Sequence, residues 1–171
     1  MIALDLDGTL TNHDKVVTPL TRAALLKAQE NGAAIVLASG RPTYGIEPVA
    51  DCLELDRRGG FILSYNGGKI VDWQSREELY SKSLPQDVIP VLHSYASAHG
   101  YALLGYVGNE IVTESPFDKY VAEESRINKM AVRHVDNLPA SLEPHPTKLL
   151  MTGDPARMIE AEEELSRLVG N

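Results

Sequence analysis

Cysteine occurs once in the 171 residues, at Cys52, so no disulfide can form within the chain. Its neighbours Val49, Ala50, Leu53 and Leu55 mark it as a small core residue rather than a nucleophile, and redox chemistry is not expected. No apolar run reaches the length that spans a bilayer. The N-terminus also lacks a basic region followed by an apolar stretch and a cleavage site, so the expected location is the cytoplasm, with no membrane partner. Positive charge is in deficit: Lys and Arg number 16 against 24 Asp and Glu, a formal net charge of -8. Nucleic-acid binding needs clustered Lys and Arg and is not expected, whereas surplus carboxylates suit a site that works through a bound cation on a small partner. The histidines, at 13, 93, 99, 134 and 145, share no metal-ligand spacing. Internal repeats and low-complexity linkers are missing too.

What is present is the composition of a globular chain, 43% hydrophobic and 23% charged, long enough for one sizeable core or two small ones. Ile2 to Leu6 reads as a strand. Thr18-Pro19 then starts a helix, with an N-cap residue and proline at the first helical position, that runs to Gly32. Ala33 to Ala38 is a continuous apolar run, the mark of a parallel strand covered on both faces, and a helix is predicted over Pro42 to Leu55. Phe61 to Ser64 supplies a third strand and then a turn. This alternation predicts a Rossmann-like parallel sheet. After Tyr80 the pattern changes. Pro85 to His99 reads as a helix stopped by Gly100, "YALLGYVGNEIVTE" as two strands joined at Gly108-Asn109, and "TKLLMTGD" as a further strand. Asp154 caps a last helix from Pro155, with Met158, Ile159, Leu165, Leu168 and Val169 on one stripe, while "EAEEEL" forms its solvated face.

The first strand ends in chemistry. Asp5 and Asp7, followed by Gly8 and Thr9, are carboxylates placed together at a strand end, where folding alone has no use for them. In parallel α/β sheets ligands sit beyond the carboxyl ends of the strands, where Asp5, Asp7, Ser39 and Asn66 all fall. Asp5 is placed to attack a phosphoryl group, and Asp7 to donate a proton to the leaving oxygen and later to activate water. Two carboxylates facing a phosphate dianion then require a cation, and Mg²⁺, with its preference for oxygen ligands, meets that need. A calcium loop fits poorly: counting from Asp5 puts Thr9 at the fifth position, Leu10 at the sixth and Val16 at the twelfth, where acid or amide, glycine and glutamate belong. Ser39, followed by Gly40 and a helix start, suits either a phosphate hydrogen bond or a helix cap. Arg41 suits a substrate phosphate or a carboxylate equally. Asn66-Gly67 is a strong tight-turn pair as well as a site candidate.

These residues resemble a family. "DLDGTL" matches the first motif of the haloacid dehalogenase-like phosphatases, and "LASGRP" is similar to the second in the form used by the Cof-type sugar phosphatases. "YNGGKI" and the second unit match that subfamily's layout. The resemblance implies an α/β fold with a Rossmann-like parallel-sheet core, present in part over residues 1–82, and an inserted α/β cap over 83–171. It implies a Mg²⁺-dependent hydrolysis of small phosphorylated metabolites, a sugar phosphate or similar, through an aspartyl-phosphate. By the same resemblance Asp5 is nucleophile and metal ligand. Asp7 is acid and base and lends its main-chain carbonyl to the metal. Ser39 holds the transferring phosphoryl group, Asn66 faces the substrate, and Thr9, Gly40 and Arg41 complete the phosphate-binding candidates.

The family also needs a later lysine and an acidic Gly-Asp signature, and neither is evident. Asp154 in "TGDPARM" is followed by a helix-starting proline and reads as a cap, while Lys148 sits in a strand of the second unit. Three parallel strands would also leave an uncovered sheet edge. The chain is therefore expected to be part of a longer phosphatase, the alternative being a catalytically incomplete phosphate-binding or assembly module that associates through its incomplete sheet. Residues 1 to 171 alone, supplied with Mg²⁺, are expected to release no appreciable phosphate and to self-associate. A longer product of the natural reading frame is expected to be active and monodisperse, as read by phosphate release and light scattering.

Overall fold

The computed structural model describes residues 1–142 and 144–170, and the chain divides into two compact units, Met1–Lys82 and Ser83–Asn171. The first is organised around its most apolar strand. β2 (Ile35–Ala38) has Ile35, Val36 and Leu37 buried, and it pairs in parallel with β1 (Ile2–Asp5) on one side and β3 (Phe61–Ser64) on the other. β1 lies at the edge of the sheet, and its residues alternate between half-buried and exposed. The carboxylates at its end therefore stay in reach of water, which removes most of the desolvation cost expected of a buried strand.

α1 (Pro19–Glu30) begins as its sequence dictates, with Thr18 accepting from the Thr21 amide and proline in the first turn. The helix predicted over Pro42 to Leu55 is broken. α2 (Thr43–Cys52) stops, Glu54 turns left-handed at φ 58°, and α3 (Leu55–Arg58) follows. Two cations hold that kink, since the Glu54 carboxylate accepts from Arg22 Nη2 and Arg58 Nε, each at 2.9 Å. Leu6, Ile35, Leu37, Ile46, Leu53, Leu55 and Ile62 are buried together in one core. Each contributes about 1.5–3 kcal/mol relative to an exposed side chain.

The sheet is larger than the three strands expected. Tyr65, Asn66 and Gly67 all take positive φ, reversing the chain so that β4 (Lys69–Asp72) returns antiparallel on β3. β5 (Glu78–Ser81) then pairs with β4, giving the order β1-β2-β3-β4-β5. Two short strands thus extend the sheet beyond β3, while β1 remains at an edge.

The second unit is a four-stranded mixed sheet of order β8-β7-β6-β9. β6 (Ala102–Val107) and β7 (Glu110–Thr113) form the hairpin expected at Gly108-Asn109, and β9 (Leu149–Thr152) flanks β6 antiparallel. α4 (Val88–His99) is ended by a left-handed Gly100. Its Ala96 packs with Leu103, Val112 and Val135, and with Leu138 of the short α6 (Leu138–Ser141). α5 (Lys119–Asn128), capped by Asp118, and β8 (Ala131–His134), parallel to β7, were not expected. α7 (Pro155–Val169) begins with the Asp154 side chain accepting from the Ala156 amide at 3.0 Å, the capping role read from the sequence. Among the described residues no helix is long and apolar enough to cross a membrane.

Two glycines separate conformational strain from steric exclusion. A Cβ on Gly60, at φ +152°, would lie 2.8 Å from the Ile35 carbonyl oxygen and 3.0 Å from Leu55 Cδ2, whereas one on Gly32, at φ +86°, would meet nothing within 4 Å. Gly32→Ala is expected to cost roughly 1–2 kcal/mol from backbone conformation alone. Gly60→Ala is expected to cost more, because its clash is with main chain that cannot yield; urea midpoints of the two variants measure the difference.

Candidate active site

At the end of β1 the chain folds back on itself. Gly8 takes φ +80°, and the amides of Leu10 and Thr11 bond to the Leu6 carbonyl at 3.1 and 2.9 Å. That reversal brings Thr9 over Asp5, and Thr9 Oγ1 donates to Asp5 Oδ2 at 3.2 Å. Among the described residues no cation pairs with Asp5.

The loop after β2 is fixed from both sides. Asp5 and Ala38 are register partners, so Asp5 and Ser39 stand at adjacent strand ends. The Ser39 amide donates to the Leu63 carbonyl at 2.9 Å, and the Ser39 and Arg41 carbonyls accept from the amides of Asn66 and Tyr65 at 3.1 and 2.9 Å. Ser39 is buried, and its hydroxyl accepts from the Arg41 amide at 3.2 Å, so it organises its own loop rather than capping α2, whose N-cap is Pro42. Half-buried Gly40 joins the two. Asn66, exposed and left-handed at φ 58°, fills the turn position. Thr43 and Ser64 share a hydroxyl hydrogen bond of 2.7 Å beneath this loop.

Asp7 is where the charges converge. Arg41, 8% exposed, donates from Nε to Asp7 Oδ2 at 2.9 Å and from Nη2 to Oδ1 at 2.6 Å, while its Nη1 reaches the Gly45 carbonyl at 3.2 Å. Of the two partners open to Arg41, a carboxylate of the site itself takes the guanidinium. Lys15 Nζ adds a third donor to Oδ1 at 2.8 Å. The Arg41 hydrogen bonds, joined by Lys15 and opposed by partial burial, lower the Asp7 pKa to about 2. Its carboxylate is therefore ionised at neutral pH in this arrangement.

Lys15 is the site residue that sequence reading missed. It takes φ 61°, a left-handed conformation costing a non-glycine residue roughly 1–2 kcal/mol. It stands in a tight turn where glycine or asparagine is the usual occupant. The signal available was Asn12, whose side-chain oxygen accepts from the Asp14 and Val16 amides at 3.0 and 3.1 Å, folding the segment so that position 15 points back.

The structure thus gathers Asp5, at the end of β1, with Asp7, Thr9, Lys15, Ser39, Gly40, Arg41 and Asn66 in the loops that follow β1, β2 and β3. No group of three or more His, Cys, Asp and Glu placed to hold a metal occurs among the described residues. Lys148 and Asp154 both belong to the second unit, and burial there lowers the Lys148 pKa, with Glu124 opposing.

A family profile described as haloacid dehalogenase-like hydrolase matches residues 2–171. A crystal structure of a haloacid dehalogenase-like hydrolase from Bacteroides thetaiotaomicron superposes with a TM-score of 0.92 at 47% identity, over 98% of this chain and 64% of that one. The pyridoxal phosphate phosphatase YbhA of Escherichia coli K12 is 31% identical over 116 residues, 68% of this chain and 42% of its own. The HMP-PP phosphatase of Serratia proteamaculans is 30% identical over 119 residues, 67% of this chain and 42% of its own. The matched segment is thus under half the length of either phosphatase.

The Asp7 pairing sets a pH dependence of stability. A folded-state pKa lowered to about 2 from the ordinary value of 3.8 contributes stability above pH 4 that is lost as pH falls through about 2. The side chain is 37% exposed, so screening holds the gain to about 1 kcal/mol. Asp7→Asn is expected to be less stable than the parent at pH 6, with the gap closing between pH 4 and pH 2. Urea unfolding at stepped pH measures it.

Proposed function

The chain belongs to the haloacid dehalogenase-like hydrolases, and on that premise we propose that it carries the nucleophilic half of a Mg²⁺-dependent phosphatase acting on small phosphorylated metabolites, a sugar phosphate or similar. The observation that carries this reading is the contrast between two neighbouring carboxylates. Asp5 accepts one neutral hydrogen bond, from Thr9, and keeps its nucleophilic oxygens. Asp7 is wrapped by two cationic side chains, an arrangement that supports a separate, proton-handling role.

In the proposed reaction an Asp5 oxygen attacks phosphorus, and the bond from phosphorus to the alkoxide breaks as that oxygen takes a proton from Asp7. Water then attacks the aspartyl-phosphate and gives its proton to Asp7, freeing phosphate and restoring Asp5. The ionised Asp7 suits the second step. Protonation for the first is eased when a substrate phosphate shares the Arg41 guanidinium. Ser39, Gly40 and Asn66 border the position of the transferring group.

The donors present fit Mg²⁺ chemically, since that ion uses one or two carboxylates with waters and substrate phosphate. The Asp5 carboxylate and the Asp7 main-chain carbonyl would hold it. When bound it offsets the repulsion between the carboxylates and the phosphate. Residues 83–171 serve in this reading as an α/β cap, and the cytoplasm is its setting. The names of the two curated relatives, phosphatases of pyridoxal phosphate and HMP-PP, support a small phosphorylated substrate rather than nucleic acid or a membrane surface.

Asp5→Asn, in the product of the natural reading frame that carries this chain, is expected to lower kcat on 4-nitrophenyl phosphate by several orders of magnitude. Chelation by EDTA is expected to abolish turnover and added Mg²⁺ to restore it. Activity that survives both treatments contradicts the proposal.

A further inference from the structure

Three nitrogen donors from two cations meet on the Asp7 carboxylate, and they are unevenly shared. Oδ1 accepts from Arg41 Nη2 at 2.6 Å and from Lys15 Nζ at 2.8 Å, while Oδ2 accepts, among the described residues, from Arg41 Nε alone, at 2.9 Å. Arg41 is buried and itself anchored on the Gly45 carbonyl, so its fork defines the plane of the carboxylate. Lys15 comes from elsewhere. It is carried by a turn closed at both ends, with the Asn12 amide on the Val16 carbonyl and the Lys15 amide on the Asn12 carbonyl, both at 3.0 Å. Position 15 is left-handed, and a lysine in place of the glycine or asparagine that such a turn favours points to a use for its ammonium.

We propose that Lys15 is a positioning residue for Asp7, occupying Oδ1 so that Oδ2, with one donor, is the oxygen presented for proton exchange. The inference rests on the phosphatase reading above. As the bond from phosphorus to the leaving oxygen breaks and the bond to Asp5 forms, the proton on Asp7 Oδ2 passes to the departing alkoxide. Water later returns a proton to the same oxygen. Without Lys15 the two oxygens differ only by the two arms of Arg41, and the carboxylate can turn toward either.

A lysine that merely tied the turn to the sheet would give a different pattern on removal: lower stability and an equal loss for every leaving group. Positioning of the acid predicts selectivity, because a nitrophenolate leaves without protonation and an alkoxide does not. The experiment compares Lys15→Met and Lys15→Arg with the parent product of the natural reading frame, on glycerol 3-phosphate and on 4-nitrophenyl phosphate, with Mg²⁺. Lys15→Met is expected to lower kcat on glycerol 3-phosphate about tenfold or more, with KM and the single-turnover nitrophenolate burst little changed. Lys15→Arg is expected to recover most of the loss. Should Lys15→Met fail to fold, Lys15→Gln replaces it with the same expectation. Equal losses on both esters, no loss on either, or no recovery in Lys15→Arg overturn the role of Lys15 while leaving the phosphatase reading standing. A parent protein that hydrolyses neither ester overturns both.

Discussion

The ion pair between Arg41 and Asp7 is the contact on which the rest of the site depends. A guanidinium 8% exposed is tolerable only with its charge matched and its donors used, and the first unit is arranged to do both. The side chain bonds the Asp7 carboxylate and the Gly45 carbonyl. Its main-chain amide bonds the Ser39 hydroxyl, and its carbonyl accepts from Tyr65. One residue therefore ties together the loops that follow β1, β2 and β3. The parallel order of those strands is what makes this possible, since it brings three chain reversals to the same edge of the sheet.

The arrangement needs backbone conformations that most residues avoid. Gly8 and Gly67 supply positive φ without a Cβ, while Lys15, Tyr65 and Asn66 adopt it with one. Strain of this kind persists where the surroundings over-determine it. Here the Asn12 turn fixes Lys15, and hydrogen bonds to the Ser39 and Arg41 carbonyls fix Asn66 and Tyr65. Two neighbouring aspartates consequently end in unlike electrostatic settings, one hydrogen-bonded to a hydroxyl and one neutralised by cations. That asymmetry suits the two different roles proposed for them.

Much of this was legible in the residues. The apolar run from Ala33 to Ala38 could only be a covered central strand, and "DLDGT" and "ASGR" marked the ends of β1 and β2. The choice open to Arg41 was not legible, because its partner lies 34 residues earlier in the chain and only the parallel pairing of β1 with β2 brings the two together. Lys15 escaped because its place depends on a left-handed backbone that lysine rarely takes. β4 and β5 escaped for another reason: each is four residues long, and β5 is exposed throughout, leaving no alternation of apolar and polar residues to read. α5 has one apolar residue buried, Val121, and its helical stripe is hidden among charges.

The central claim, that Asp5 becomes covalently phosphorylated, is tested most directly by chemical trapping. The natural reading-frame product is mixed with 4-nitrophenyl phosphate and Mg²⁺, quenched, and treated with borohydride, which reduces an acyl phosphate to the alcohol. Peptide mass spectrometry is predicted to find homoserine in place of aspartate at position 5, in a yield that rises with substrate. Phosphate release with position 5 unmodified, or with the reduced residue elsewhere in the chain, would contradict the account.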